Sequence, residues 1–169
     1  ILDKEDPLDD NSHGTHVAGI ISSTDLNYKG VAPGSNIVAL KAMNSAGEGT
    51  VSDVMASIEF CIENKNKYNI SVITMSLGSA SLYSSYCDND YVLYGVFSEL
   101  INEAINAGIL VVAASGNDNN STNIPFPACL ENVTAVGATT KSDNVDESYS
   151  NSATILDLLA PGTNITSAK

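Results

Sequence analysis

The sequence predicts an α/β fold around a mostly parallel sheet, and three observations carry that expectation. Strand-like and helix-like stretches alternate along the chain. The strand candidates are short and apolar on both sides rather than alternating with polar residues. The helical stretches between them are amphipathic. Strands of that kind are found in sheets covered by helices on both faces.

The elements follow in order. His13 to Ser22 fits a short helix with Val17, Ala18, Ile20 and Ile21 on its apolar side. Asn36 to Met43 reads as a strand. Val51, Val54, Met55, Ile58, Cys61 and Ile62 recur at three and four residues, which is helix spacing. Ser71 to Ser76 is a short buried strand. Phe97, Leu100, Ile101, Ala104 and Ile105 mark another helix, closed by Gly108 in the place of a C-terminal cap. Ile109 to Ala114, Val133 to Ala138 and Ile155 to Leu159 complete the strands. Ligands in such folds sit beyond the carboxyl ends of the strands. Attention therefore falls on Met43 to Gly49, Ser76 to Ser79, Ser115 to Asn119 and Ala160 to Gly162.

Length and charge exclude several classes. The 169 residues suit one domain, taken here as residues 1–169. The net charge is -13, and all seven basic residues are Lys. Nucleic acid and anionic lipid both require neutralised phosphates, so neither is an expected partner. No apolar run approaches the ~20 residues of a membrane-spanning helix. The first residues, Ile1 to Asp6, do not form a signal peptide and do not start with Met, so the chain reads as mature, processed or cut from something longer. Three cysteines without Cys-x-x-Cys spacing point neither to a disulfide scaffold nor to zinc. Sequons at Asn69, Asn119, Asn120, Asn132 and Asn164 are what chance produces in an Asn-rich chain.

The only histidines are His13 and His16, in Asn11-Ser12-His13-Gly14-Thr15-His16-Val17-Ala18-Gly19. A metal-ligating pair is one reading, with Asp9 or Asp10 assisting. Yet the zinc-protease pattern needs histidines four apart with Glu between. Two structural histidines at a helix start is the plainer reading of the pair alone.

The whole segment resembles the histidine motif of the subtilisin-like serine proteases. Three further segments match the family in the same order. Val72 to Gly78 (VITMSLG) is similar to its substrate-binding strand. Val111 to Asn117 (VVAASGN) is similar to the strand ending in the oxyanion-hole asparagine. Leu159 to Gly162 (LAPG) is similar to the segment before the nucleophile region. The resemblance runs from about Asp10 to the last residue, and it implies a subtilisin-like three-layer sandwich, incomplete in this chain.

It also implies a mechanism. A serine hydroxyl becomes a nucleophile when a neutral imidazole takes its proton. The resemblance makes His13 that base and turns His16 into the structure as a buried residue. It makes Asn117 the side-chain donor to the oxyanion. Substrate would add as an extended strand against Gly47 to Gly49 and Ser76-Leu77-Gly78. Ala114, Ser115 and Gly116 would wall the primary pocket, with the loop from Asp118 to Ile124 shaping its floor. Met43, Val51, Val54 and Leu77 would line a second, apolar pocket; the same spacing also suits plain core positions.

Two family parts have no match. No Asp is followed by Ser or Thr and then Gly, and Asp9 and Asp10 match the loop before the helix. No Gly-Thr-Ser occurs, and Ser167 lacks that context. Losses at both ends with the middle intact favour an incomplete subtilase, whose whole protein is a secreted endopeptidase. This chain alone is expected to be inactive towards peptides and serine-directed phosphonates. The alternatives are a non-catalytic peptide-binding fragment or pseudoprotease, and an unrelated metal-dependent hydrolase. The implied partners are protein or peptide substrates, with a pro-peptide also compatible. No cofactor is required. A structural calcium is compatible with the family, but Thr24 to Gly30 is short and carries Lys29.

The resemblance further pairs Cys87 with Cys129, leaves Cys61 as a buried thiol, and makes Phe126–Pro127 cis. It also places the absent aspartate strand between Asn36 to Met43 and Ser71 to Ser76, leaving a gap of about 9–10 Å, and the absence of the serine-bearing helix is expected to uncover apolar surface on one face of the sheet.

Overall fold

A computed structural model describes residues 8–169. The chain divides into two compact units, one of residues 8–60 with 164–169, the other of residues 61–163.

In the first unit, α1 (His13–Ser22) opens without a side-chain bond from its N-cap, Ser12. Asp9 supplies the cap instead, through Thr15 N–H. Its carboxylate accepts from the backbone of Asn11 and Ser12, both at 2.9 Å, and from Thr15 N–H at 2.8 Å and Thr15 Oγ1 at 2.7 Å. A carboxylate there also meets the positive end of the helix dipole. None of the residues of α1 is buried. Close approach is achieved through Gly19, where a Cβ would lie 2.3 Å from Ser167 Oγ. Ser167 Oγ instead donates to His16 O at 2.8 Å, so that serine is used structurally.

Residues 36–43 do not form the expected strand. A strand persists through its ladder, and these residues have no pairing partner in the sheets. They run to a tight turn at Asn44, where Asn44 and Glu48 are bonded across Gly47. α2 (Val51–Glu63) begins there and crosses the division after Phe60. Thr50 Oγ1 donates to Asp53 at 2.6 Å at its start.

The second unit holds the sheet. After a short α3 (Lys65–Tyr68), β1 (Val72–Met75) leads to the two-residue β2 (Leu82–Tyr83) and to α4 (Val92–Asn106). β3 (Leu110–Ala114), β4 (Ile124–Pro125), β5 (Thr134–Thr139) and β6 (Leu158–Pro161) follow. The order β1-β3-β5-β6 makes a four-stranded parallel sheet, and β2 pairs antiparallel with β4. β1 has β3 as its single partner, so its other edge is open among the described residues.

α4 buries Phe97, Leu100, Ile101 and Ala104, the expected spacing. It ends at Gly108, whose φ of 78° and N–H to Ile105 O close the last turn. The sheet buries one face through Ile73, Met75, Val111, Ala113 and Ala135. Its other face leaves apolar surface uncovered, as expected without the serine-bearing helix: Val72 and Leu110 are half exposed, as is Leu158 at the far edge. Among the described residues, α4 is the helix with substantial packing on this sheet. β6 also starts three residues later than the sequence suggested, at Leu158 instead of Ile155. Asp157 is spent just before it, accepting from Ala135 N–H at 2.8 Å.

Cys87 and Cys129 are joined, their Cα atoms 5.5 Å apart, and Cys61 is a buried free thiol. Desolvation raises the Cys61 pKa. The Phe126–Pro127 peptide is cis. Phe126 stacks on Tyr94 at 4.1 Å between ring centres and meets Phe97 edge-on at 4.8 Å, which seats the β4 segment on α4. No described helix is long and apolar enough to cross a membrane.

Candidate active site

The parallel strands β1 and β3 place their carboxyl ends side by side, with Met75 opposite Ala113. A cleft of about 240 Å³ opens there. It is lined by Ser76 to Ser79 on one side and by Ala114, Gly116, Asn117 and Asp118 on the other, with Pro125 completing it. The cleft thus lies wholly within the second unit.

Each wall has a local cause. Among the described residues, no backbone hydrogen bond engages Ser76, Leu77 or Gly78, so their N–H and C=O groups are available to a ligand. Ser79 N–H, next along, is spent on Phe126 O at 2.8 Å. Gly78 is needed for closeness: a Cβ would lie 3.0 Å from Pro125. On the other wall Gly116 has φ 93° and lies against Asn151, where a Cβ would come within 2.5 Å of the amide nitrogen. Asn117 follows as an exposed residue whose side-chain amide has no hydrogen bond among the described residues.

Ser115 departs from the expectation. It is 2% exposed, and its hydroxyl donates to Asn151 O at 2.9 Å. Its side chain faces the interior and does not line the cleft. Asp118 and Pro125, which bracket the loop expected to form the floor, do line it. The loop itself is held by Asn120, whose side-chain oxygen accepts from Thr122 N–H at 3.0 Å and Asn123 N–H at 2.9 Å.

In the first unit His13 starts α1 with an exposed ring. His16, one turn on, is half-buried rather than buried, as are its helix neighbours Val17 to Ile21. Asp9 spends its carboxylate on the helix start and not on either ring. Asn11 Nδ2 donates to Ser45 O at 2.9 Å, and Asp10 pairs with Lys41 at 2.8 Å. These bonds tie the segment before His13 to the stretch leading into Gly47 and Gly49. Gly47 spends its N–H on Asn44 O at φ 77°. Gly49 packs on the Ala42 carbonyl, 2.3 Å from where a Cβ would stand. Met43, Val51 and Val54 are half-buried.

The described residues contain no group of three or more His, Cys, Asp or Glu placed to hold a metal. Calcium takes six to eight oxygens, and residues 24–30 supply one carboxylate. Their one carboxylate, Asp25, has an oxygen occupied by the N–H groups of Asn27 and Tyr28 at 2.8 and 2.9 Å. Sequence reasoning missed Asn151. Its signal was weak, since Tyr149-Ser150-Asn151 is one more polar stretch in an Asn-rich chain.

The second unit thus presents a parallel sheet with a main-chain-lined cleft at its strand ends, beside a turn whose exposed amide is unengaged among the described residues. The chain belongs to the subtilase family, whose model matches residues 2–169. It is 37% identical over 161 residues to the minor extracellular protease Epr of Bacillus subtilis, covering 94% of this chain and 22% of that protein. It is 39% identical over 165 residues to a thermophilic serine proteinase of Bacillus sp. strain AK1, covering 96% of this chain and 37% of that protein. The crystal structure of a cold adapted subtilisin-like serine proteinase superposes with a TM-score of 0.75 at 32% identity, over 95% of this chain and 52% of that one. The chain therefore spans well under two thirds of the length of these relatives.

Proposed function

We propose that this chain works within a secreted serine endopeptidase that hydrolyses peptide bonds in proteins. The observation that carries the proposal is the exposed, unengaged Asn117 amide at the end of β3, in a cleft whose other wall is the unpaired backbone Ser76 to Gly78. A peptide laid along that wall would hydrogen-bond through its main chain, as an added strand does. Ala114 and Gly116 leave room for a side chain beside it. The Asn117 amide would donate to the oxygen that becomes negative as the carbonyl carbon turns tetrahedral.

His13 is the proton acceptor in this reading. It takes the hydroxyl proton of a serine and returns it to the departing amine. The serine and the orienting carboxylate are supplied by the protein that contains this chain. A disulfide and the extracellular relative support secretion.

The test is peptide hydrolysis by the complete protein, with and without His13→Ala. Loss of a triad member costs on the order of 10⁴-fold or more in kcat. Undiminished hydrolysis by His13→Ala would sink the assignment.

A further inference from the structure

Asn151 has a position no surface or ligand contact explains. It is 0% exposed, lies 34 residues beyond Asn117 in the chain, and directs all three of its side-chain hydrogen bonds to the loop around Asn117. Asp118 N–H and Asn120 N–H both point at Asn151 Oδ1, at 2.8 and 3.0 Å. Two donors on one atom fix which end of the amide is oxygen. The nitrogen is then committed to Asp118 Oδ2 at 2.9 Å. The main chain repeats the grip, with Asn151 N–H on Gly116 O at 3.0 Å and Ser115 Oγ on Asn151 O at 2.9 Å. Ser152 N–H donates to Asn120 O at 2.7 Å, and Asn119 N–H to Tyr149 O at 2.8 Å. Residues 115, 116, 118, 119 and 120 are all held, and Asn117, which lines the cleft between Gly116 and Asp118, makes no hydrogen bond of its own among the described residues.

We propose that Asn151 is the positioning residue of this site: its buried amide fixes the turn Gly116 to Asn120 so that Asn117 is aimed into the cleft. The proposal rests on the oxyanion role given to Asn117 above. Such a clamp acts on a donor used in the transition state, so its loss should fall on kcat and spare KM. It also explains the glycine at 116, because a Cβ there would strike the Asn151 amide.

The experiment uses the complete protein and a small neutral peptide substrate, with amide hydrogen exchange on the same samples. Asn151→Ala should lower kcat about 10- to 100-fold, below the loss of about 10²–10³ known for removing a subtilisin's oxyanion asparagine outright. KM should stay within about threefold. Exchange should quicken at the Asp118 and Asn120 amides and stay slow in β3 and β5. Asn151→Asp keeps the acceptor but sets two carboxylates together, and should be similarly impaired. Adding Asp118→Asn reverses donor and acceptor, and should recover kcat at least tenfold over Asn151→Asp alone. The proposal is overturned by a rise in KM at constant kcat, by a double variant no better than Asn151→Asp, or by unchanged exchange at Asp118 and Asn120. Should Asn151→Ala fail to fold, the Asp pair decides alone. Should the unsubstituted protein cleave no peptide, the endopeptidase reading fails, and the exchange measurement still decides whether Asn151 holds the turn.

Discussion

α1 and α4 have similar apolar spacing in the sequence and opposite fates in the structure. α4 buries four residues at positions 97, 100, 101 and 104, whereas α1, with Val17, Ala18, Ile20 and Ile21, buries none. α4 has a sheet to pack on, and its burial is driven by apolar contact. α1 is held by polar bonds, to Asp9 at its start, from Ser167 onto His16 O, and from the Val31 and Ala32 N–H groups at its end. Periodicity states that a helix has an apolar side; what covers that side is decided elsewhere.

The contrast can be broken from the α4 side first. Phe97 is fully buried against Phe126, so Phe97→Ala should cost about 3–5 kcal/mol, read as a lowered urea midpoint by near-ultraviolet circular dichroism. A loss below 1 kcal/mol would mean that α4 is no better anchored than α1. Next in size is the bridge that spans α4. Cys87→Ser with Cys129→Ser opens a loop of 42 residues, and chain entropy puts the loss at about 4 kcal/mol, within a typical range of about 2–4 kcal/mol. Thermal unfolding of the double variant checks it.

At α1 the lever is electrostatic. Hydrogen bonds from the Thr15 backbone, then from Asn11 and the Thr15 hydroxyl, hold the Asp9 carboxyl far below the usual carboxylate range. The folded value lies below the unfolded one, so the clasp is present through the ordinary carboxylate range and is lost only as pH falls through the depressed folded value. The Asp9 side-chain carboxyl carbon, Cγ, should therefore show no NMR inflection near pH 4, and Thr15→Ala should move its titration upward. An Asp9 midpoint at the usual value would remove the proposed anchor of α1. The smallest effect belongs to α4's own exposed end. Val92 is 89% exposed, and Val92→Ser should change stability by less than about 0.5 kcal/mol. A larger loss would show that the open end of α4 is covered after all.

Legibility divided along the same line. The extents of α1 and the start of α2 could be read directly, since Ser12-His13 and Thr50-Val51 mark clear entries. β1, β3 and β5 came within one residue because apolar runs end where ladders end. Residues 36–43 read as a strand by composition, yet a ladder needs a partner that no local pattern can supply. Periodicity alone pointed to two-sided burial, and only the missing serine-bearing helix pointed to one uncovered face: Val72, Leu110 and Val112 are apolar on that face too, so sequence shows what a face could bury and not what it does. At the site, the backbone walls were legible as Gly and Ser runs. Ser115 and Asn151 were not, because a polar side chain turned inward looks like one turned outward until its partners are placed.

The open edge of β1 carries a consequence for handling the protein. Its four residues, Val-Ile-Thr-Met, contain no charge and no proline, and among the described residues no strand seals their outer side. Natural edges are commonly blunted with lysine, proline or a bulge, since a bare row of N–H and C=O groups can template a further strand. Left unsealed, that row would let one copy register onto the next. The solubility of this chain on its own would then be set by concentration and time rather than by its large negative charge.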